Sequence, residues 1–250
     1  MNTRPTRIKE LKTLLSQCKG LRDTILEILS NESVPPTGRF SSFYNMAYYY
    51  NGFAKKFIEY TEVSTFVPTF DLDKFPSFGN SVWSQQKSIM EQVLVSVRML
   101  ISSIESNLDF VNEEFDNIEN FLQLRLRSCI FKKPEHEKEI QNALESLLLG
   151  RGYIKGIDYD RESGKVEFAG KEYIPDFILK KMSLCIETKL VREGKKSQII
   201  EEICSDITAY SKEYNKQLYV VYDLGTIQNE IEFKNDINAL DGVKVIIIKH

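Results

Sequence analysis

Two short apolar segments separated by a polar turn constrain the fold of this 250-residue chain more than any other feature. They occupy residues 173–179 and 184–190, on either side of a turn that contains the adjacent Lys180 and Lys181. Each segment has the length and the β-branched or aromatic content of a buried strand. The stretch therefore predicts an antiparallel β-hairpin.

Three charged side chains lie on this hairpin. Asp176 follows Pro175 in the first segment, and Glu187 and Lys189 lie two residues apart in the second. Alternate side chains of a strand share a face, so Glu187 and Lys189 project to the same side. Antiparallel pairing lets Asp176 reach that side as well. The hairpin thus predicts two carboxylates and one lysine converging on one point.

This combination of groups suits a hard divalent cation. Mg²⁺ is typically bound by one or two carboxylates together with waters and substrate phosphates. Asp176 and Glu187 would be those carboxylates, and the backbone carbonyl of Thr188, on a frayed or edge strand, could add one oxygen. Such a cation activates a water and neutralises charge on a phosphodiester, while Lys189 beside it could position or activate that water.

The spacing of these residues resembles a known family. Pro175-Asp176, ten further residues and then Glu187-Thr188-Lys189 is similar to the signature of the PD-(D/E)XK nuclease superfamily. The resemblance implies catalysis by Asp176, Glu187 and Lys189, with Mg²⁺, or Mn²⁺ in its place, as the cofactor.

The segments after the hairpin extend the resemblance. A helical segment at 199–210 and apolar strands at 218–223 and 243–248 follow in an order similar to that of the DpnII/MboI-type restriction endonuclease domain. The match covers roughly residues 134–250. It implies an α/β nuclease core, with a central mixed sheet flanked by helices, that hydrolyses DNA in a restriction or phage-defence setting.

The family pattern implies further site residues. A glutamate on the helix before the hairpin, expected here at 135–149, joins the metal site in the resembling family, and Glu137 matches it. Glu139 is the competing position and points about 160° away; the alternative role for Glu137 is to stabilise the start of the helix. Related nucleases also place a polar residue and a tyrosine near the cleaved phosphate, which implies Asp206 and Tyr210, with capping and packing as their alternative roles.

A cluster of cations accompanies the hairpin, at Lys180, Lys181, Lys189, Arg192, Lys195 and Lys196. A basic cluster beside an acidic metal site is what contact with a phosphate backbone requires. A solvated turn and helix start are the alternative for Lys195 and Lys196. The net charge of −3 argues against a general nucleic-acid-binding surface and favours a nuclease that needs activation or a partner protein.

The N-terminal half is predicted to be all-α. Helical spacing of apolar residues predicts one helix before Pro35 and a second, rich in aromatic residues, at about 41–61, whose aromatic band favours core packing over stacking on bases. The domains are expected at 1–131, for oligomerisation or for partner or DNA recognition, and at 132–250, the endonuclease-like domain.

A third, long helix dominates this half. Apolar residues recur every three or four positions from Ile89 to Leu126, with no Pro or Gly between residues 81 and 133. A helix of that length spans about 60–75 Å. We expect it to pack on the first two helices and to form a coiled coil with a second copy, giving a homodimer or higher homo-oligomer. Its acidic residues Glu113, Glu114 and Asp116 are expected to form a solvated face.

Composition excludes other classes. Two histidines are too few for a histidine-rich zinc site, and four cysteines without close spacing predict reduced thiols in the cytoplasm. The chain shows no signal-peptide pattern and no apolar stretch long enough to span a bilayer, so no membrane contact is expected. The alternatives to a DNA endonuclease are an RNA-cleaving nuclease and a catalytically silent nuclease fold that recruits a larger complex.

Overall fold

The structure is a computed structural model that describes residues 8–61 and 67–250, apart from the side chain of Phe78. Packing divides the chain into two compact units, one ending at Phe110 and the other spanning Val111–His250. The division falls inside the longest helix, before the predicted boundary between residues 131 and 132. The two predicted domains stay a prediction, because packing alone does not show which segment folds by itself.

Helices alone build the N-terminal region, as predicted. The helices are α1 (Ile8–Ser30), α2 (Pro36–Arg39), α3 (Phe43–Thr61) and α4 (Trp83–Arg125). Pro36 occupies the first turn of α2, where its missing N–H costs no helical hydrogen bond. The 43 residues of α4 span about 65 Å, and a short 3-10 turn, Leu126–Cys129, follows it.

The core of the first unit comes from one apolar face on each of α1, α3 and the first part of α4. Its fully buried members include Leu11, Ile25, Tyr50, Val93 and Ile104. The predicted aromatic band of α3 divides between two environments. Phe43, Tyr50 and Phe57 are in the core, whereas Tyr44, Tyr48 and Tyr49 are exposed.

The second unit is an α/β structure with three further helices, α5 (Glu137–Gly150), α6 (Lys196–Tyr210) and α7 (Glu230–Asn238). Its strands are β1 (Asp160–Arg161), β2 (Val166–Phe168), β3 (Lys171–Tyr173), β4 (Phe177–Leu179), β5 (Leu184–Val191), β6 (Lys216–Asp223) and β7 (Val243–Lys249). Five of them form one sheet in the order β1-β4-β5-β6-β7. β4 is antiparallel to β1 and β5, whereas β5, β6 and β7 are parallel, so the sheet is mixed, as predicted.

Both faces of this sheet are covered, which fits the almost continuously apolar sequences of β6 and β7. α6 and α7 pack on one face, against residues such as Val191, Tyr219 and Val245. The residues between them, such as Val220 and Ile246, are equally buried. α5 lies along β5, and the end of α4 contacts β7, because Gln123 Nε2 donates to the Ile247 carbonyl at 3.0 Å.

The expected solvated face of α4 is wrong for one of its three acids, Glu114, which is partly buried. Glu114 accepts hydrogen bonds from Arg151 at 2.9 Å and from Tyr153 at 2.5 Å. Asp116 is exposed, as expected, and pairs with Lys244 at 2.6 Å. These contacts attach the end of α4 to the α/β unit, and sequence spacing within α4 could not show the distant partners.

The three short strands before the hairpin belong to two different sheets. β2 pairs with β3 as a separate two-stranded sheet, and β1 pairs with β4. Within the described residues, 8–61 and 67–250, the structure contains no helix long and apolar enough to cross a membrane.

Candidate active site

The candidate site forms where β5 extends beyond the end of its neighbour, β4. β4 has three residues, and its first, Phe177, pairs with Ile186. The edge of β5 beyond Ile186 therefore has no strand on that side. Two carboxylates take the place of a strand: Thr188 N donates to Asp176 Oδ2 at 2.7 Å, and Leu190 N donates to Glu137 Oε1 at 3.0 Å.

This edge also presents a backbone oxygen. The N–H and C=O of one strand residue point to the same edge of the strand. Because the Thr188 amide faces Asp176, the Thr188 carbonyl faces the same open edge. The local sequence thus provides the carbonyl that the motif predicts, next to the Asp176 carboxylate.

Asp176 sits immediately before β4 and is held from two sides. Gln141 Nε2, on α5, donates to its Oδ1 at 2.8 Å, and the Thr188 hydroxyl donates to Oδ2. Burial raises the pKa of the Asp176 carboxyl, while the two bonds from Thr188 oppose that rise. The carboxylate is therefore fixed in place but poorly solvated.

Glu187 lies beside Asp176 in register. Its Oε2 accepts from the Asp176 amide at 3.3 Å and from the Tyr210 hydroxyl at 3.2 Å, and its Oε1 accepts from Lys189 at 3.1 Å. Burial, and next the charge of Asp176, raise the pKa of Glu187 to about 8. A pair of adjacent buried carboxylates is a place where an added positive charge is favoured.

Lys189 bridges β5 and α6. Its Nζ lies 2.8 Å from Asp206 Oδ2, 3.1 Å from Glu187 Oε1 and 3.7 Å from Glu202 Oε2. Burial alone would lower the pKa of Lys189, but the charges of Glu187 and Asp206 raise it above its usual value. Asp206 Oδ2 receives no hydrogen bond of good geometry from the described residues, so its main partner is the charge of Lys189.

The two glutamates that competed on α5 have different surroundings. Glu137 is half-buried against β5, and burial raises the pKa of its carboxyl. Glu139 is exposed and accepts from the amides of Glu135 and His136, which caps the start of α5. Of the two, Glu137 is the one next to the open edge of β5.

The donor set fits a magnesium-like cation. Two partly buried carboxylates and an edge carbonyl are the hard oxygen ligands that Mg²⁺ takes, with waters completing the shell. Across residues 8–61 and 67–250, no three or more His, Cys, Asp or Glu side chains stand together as a ready-made ligand group. The residues that would hold such a cation are Asp176, Glu187 and Thr188, the last through its carbonyl.

The predicted cations fall in two places. Arg192 and Lys195 line a cleft of about 400 Å³ whose wall also includes Glu137 and Glu202. Lys196 begins α6 and is partly buried.

Lys180 and Lys181 lie at the opposite end of β5, in the turn before Leu184. Lys180 pairs with Asp160 at 2.5 Å and Lys181 with Asp158 at 2.7 Å. The structure does not bring these two lysines to the carboxylates, and their contact with DNA stays a prediction.

Sequence reasoning missed Gln141 and the residues behind it. Arg161 donates to Gln141 Oε1 at 2.9 Å and pairs with Glu145 at 2.6 Å, so a continuous row of contacts leads from Glu145 to Asp176. A signal was present, because Gln141 lies four residues after Glu137 and therefore on the same helical face.

Fold and site together define the class of an α/β nuclease core, with an acidic pair and a lysine at the end of a hairpin in a mixed sheet. The family model of the DpnII-MboI restriction endonucleases matches residues 123–250, just over half of the chain. The chain belongs to this restriction endonuclease family, whose class is the DNA endonucleases. No curated protein and no solved structure gave a significant match.

Proposed function

We propose that this protein is a metal-dependent endonuclease that hydrolyses phosphodiester bonds in DNA, with Asp176, Glu187 and Lys189 as its catalytic residues. The observation that supports the proposal best is the open edge of β5. There, Asp176 binds the Thr188 amide, and Glu187 contacts both Asp176 and Lys189. Family membership supports the substrate class.

The proposed cofactor is Mg²⁺, with Mn²⁺ as a substitute, held by Asp176, Glu187 and the Thr188 carbonyl. When bound, such a cation supplies a water of lowered pKa and neutralises charge on the phosphodiester. Glu137, fixed by the Leu190 amide, would assist from the neighbouring position on the same edge. Asp176 keeps its orientation through Gln141 and Thr188.

Lys189 is proposed to position the attacking water and to stabilise negative charge on the phosphate. Its raised pKa keeps the ammonium protonated, so it acts as a donor and a positive charge. Tyr210 donates to Glu187 and is placed to orient that carboxylate near the cleaved phosphate. Arg192 and Lys195 are proposed to contact the DNA backbone from the adjoining cleft.

A homodimer is proposed because a cut through both strands of duplex DNA needs two sites. The apolar stripe of α4 is already buried within the chain, from Val93 to Leu126. A second copy would therefore have to use another face of α4, where Val95 and Met99 are exposed one turn apart. We place the enzyme in the cytoplasm, in restriction or phage defence, with a partner protein as a possible activator.

The experiment incubates purified protein with plasmid DNA, linear DNA and RNA, in Mg²⁺ or Mn²⁺ and in EDTA. Glu187→Ala and Lys189→Ala run in parallel, with Lys234→Ala on α7 as a control. We expect cleavage of DNA that EDTA stops, a loss of at least about 100-fold in both site variants, and little change in Lys234→Ala.

Three results would contradict this proposal. Cleavage that persists in both site variants would indicate a contaminant or another site. Cleavage of RNA alone would favour the RNA nuclease. An inert wild-type protein would favour the silent fold that recruits a larger complex.

A further inference from the structure

The cleft beside the candidate site has a lining suited to one unit of a nucleic-acid strand. Its volume is about 400 Å³, within the size range of small-molecule sites. Arg192 and Lys195 provide positive charge, and Leu190 and Ile199 provide apolar surface. Glu135, Glu137 and Glu202 also line the cleft, so the partners for a phosphate are the two cations. A nucleotide offers the matching groups, a phosphate beside a sugar and a base.

The cleft is continuous with the candidate site. Glu137, on its wall, binds the Leu190 amide at the open edge of β5. Glu202, which also lines the cleft, has its Oε2 atom 3.7 Å from Lys189 Nζ. A DNA strand whose cleaved phosphate lies at Lys189 would therefore have its next nucleotide in the cleft.

One wall of the cleft is already ordered by hydrogen bonds. Lys195 Nζ donates to Gln198 Oε1 at 2.9 Å, and Gln198 Nε2 donates to Glu202 Oε1 at 3.0 Å. Lys195 is the N-cap of α6, and Gln198 and Glu202 follow it at intervals of three and four, so the three side chains lie on one side of the helix. This row of hydrogen bonds runs from Lys195 to Glu202, which lies next to Lys189. Little side-chain freedom is therefore lost when a ligand binds.

We propose that this cleft is a subsite for the nucleotide next to the cleaved bond, with its phosphate held by Arg192 and Lys195 and its sugar or base against Leu190 and Ile199. This inference rests on the proposed function. The sequence predicted Arg192 and Lys195 only as members of a basic cluster. The inference gives both the same role, which is to hold the phosphate next to the cleaved bond.

The test uses methylphosphonate interference, which replaces one charged phosphate at a time by a neutral linkage. The cut position is first mapped with the wild-type protein, and synthetic duplexes then carry single substitutions at the linkages on either side of it. KM and kcat are measured for the wild type, for Arg192→Ala combined with Lys195→Ala, and for Lys234→Ala, which removes a lysine on α7 that does not line the cleft.

We expect one flanking substitution to raise the wild-type KM about tenfold, the effect of losing a charged hydrogen-bond partner. The double variant should raise KM on unmodified DNA by at least as much, with kcat changed less than about threefold. In the double variant the same methylphosphonate substitution should raise KM less than about twofold, because neither cation remains to lose its phosphate partner. Lys234→Ala should keep the wild-type pattern.

The subsite is wrong if the double variant shows the same interference pattern as the wild type, or if it behaves like Lys234→Ala. A wild-type protein that cleaves no DNA would contradict the proposed function instead. In that case the fluorescence anisotropy of a labelled DNA duplex, titrated with each variant, still tests the cleft. A weaker affinity of the double variant than of Lys234→Ala would support the subsite, and equal affinities would overturn it.

Discussion

A glutamine outside the motif connects the candidate site to its supporting residues. Gln141 donates to Asp176 Oδ1 and accepts from Arg161, and its side chain is buried. Thr188 of β5 holds Asp176 Oδ2, whereas Oδ1 depends on Gln141. A hydrogen bond to a charged group contributes about 1.5–3 kcal/mol, so the glutamine affects both stability and geometry.

Replacing Gln141 by leucine should lower DNA cleavage at least about tenfold and lower the free energy of unfolding by about 1–3 kcal/mol. The leucine keeps the bulk but leaves Asp176 Oδ1 and Arg161 without their amide partner. Cleavage rates at saturating metal and urea unfolding measure the two effects. Lys138→Leu, at an exposed position of α5, is the control, and equal activities for the two variants would contradict the positioning role.

Glu145 stabilises the same row of contacts and predicts a pH dependence. Burial alone would raise its pKa, but hydrogen bonds from Lys155, Arg161 and Tyr159 lower it from 4.5 to about 2. A carboxyl whose pKa is lower in the folded state stabilises the fold at pH values above 4.5. That stabilisation is lost as the pH falls from about 4.5 to about 2.

Glu145→Gln should therefore be less stable than the wild type at pH 7, and the difference should shrink as the pH falls below 4.5. Urea unfolding at pH 7, 4.5 and 3 measures the difference in free energy. A difference that stays constant over this range would mean that the charge of Glu145 contributes nothing to folding.

At the scale of secondary-structure elements, the length mismatch between β4 and β5 creates the open edge. The length and the β-branched or aromatic content of the two apolar segments predict both strands, and β4 and β5 are antiparallel, as the predicted hairpin requires. The sequence could not show that β4 begins only at Phe177. That start depends on Asp176, the residue before it, whose carboxylate binds the Thr188 amide in place of a strand. The motif residues were predictable from spacing, whereas Gln141 and Arg161 depend on how α5 lies along β5.

The turn before β7 requires a glycine. Gly242 has a φ of +78°, and a Cβ there would lie 2.2 Å from the Asn215 carbonyl oxygen. Gly170, between β2 and β3, has the same φ of +78° but open space around it. The two positions separate backbone strain from steric overlap.

Gly170→Ala should cost about 1 kcal/mol of stability through its left-handed backbone alone. Gly242→Ala should cost about 1–3 kcal/mol of stability more, because the methyl group has to displace the backbone of Asn215, just before β6. Urea unfolding of both variants measures the difference. Equal losses would show that the approach of Asn215 to Gly242 is relaxed without cost.

At the scale of the whole molecule, the position of the boundary decides what can fold alone. The end of α4 buries Phe115, Ile118 and Leu122 in the unit that spans Val111–His250. The sequence predicted the helix and its apolar stripe correctly. It could not show that the apolar residues of α4 before Val111 pack in the first unit and those from Val111 onward in the second. Every position in the stripe has the same apolar character, so the sequence carries no sign of the division.

A fragment of residues 111–250 should unfold cooperatively, whereas residues 132–250 should be less stable by about 4 kcal/mol or more. The shorter fragment loses three buried side chains, each worth about 1.5–3 kcal/mol. Circular dichroism with urea compares the two. Equal stability would support the predicted boundary at 131/132 instead.

The central claim is that Asp176 and Glu187 hold a divalent cation at the open edge of β5, and Mn²⁺ binding measured by electron paramagnetic resonance tests it most directly. Wild-type protein should take up one Mn²⁺ per chain that Mg²⁺ displaces. Glu187→Gln should bind it at least about tenfold more weakly, and Lys181→Ala should bind it like the wild type. No uptake by the wild type, or equal uptake by Glu187→Gln, would contradict the claim.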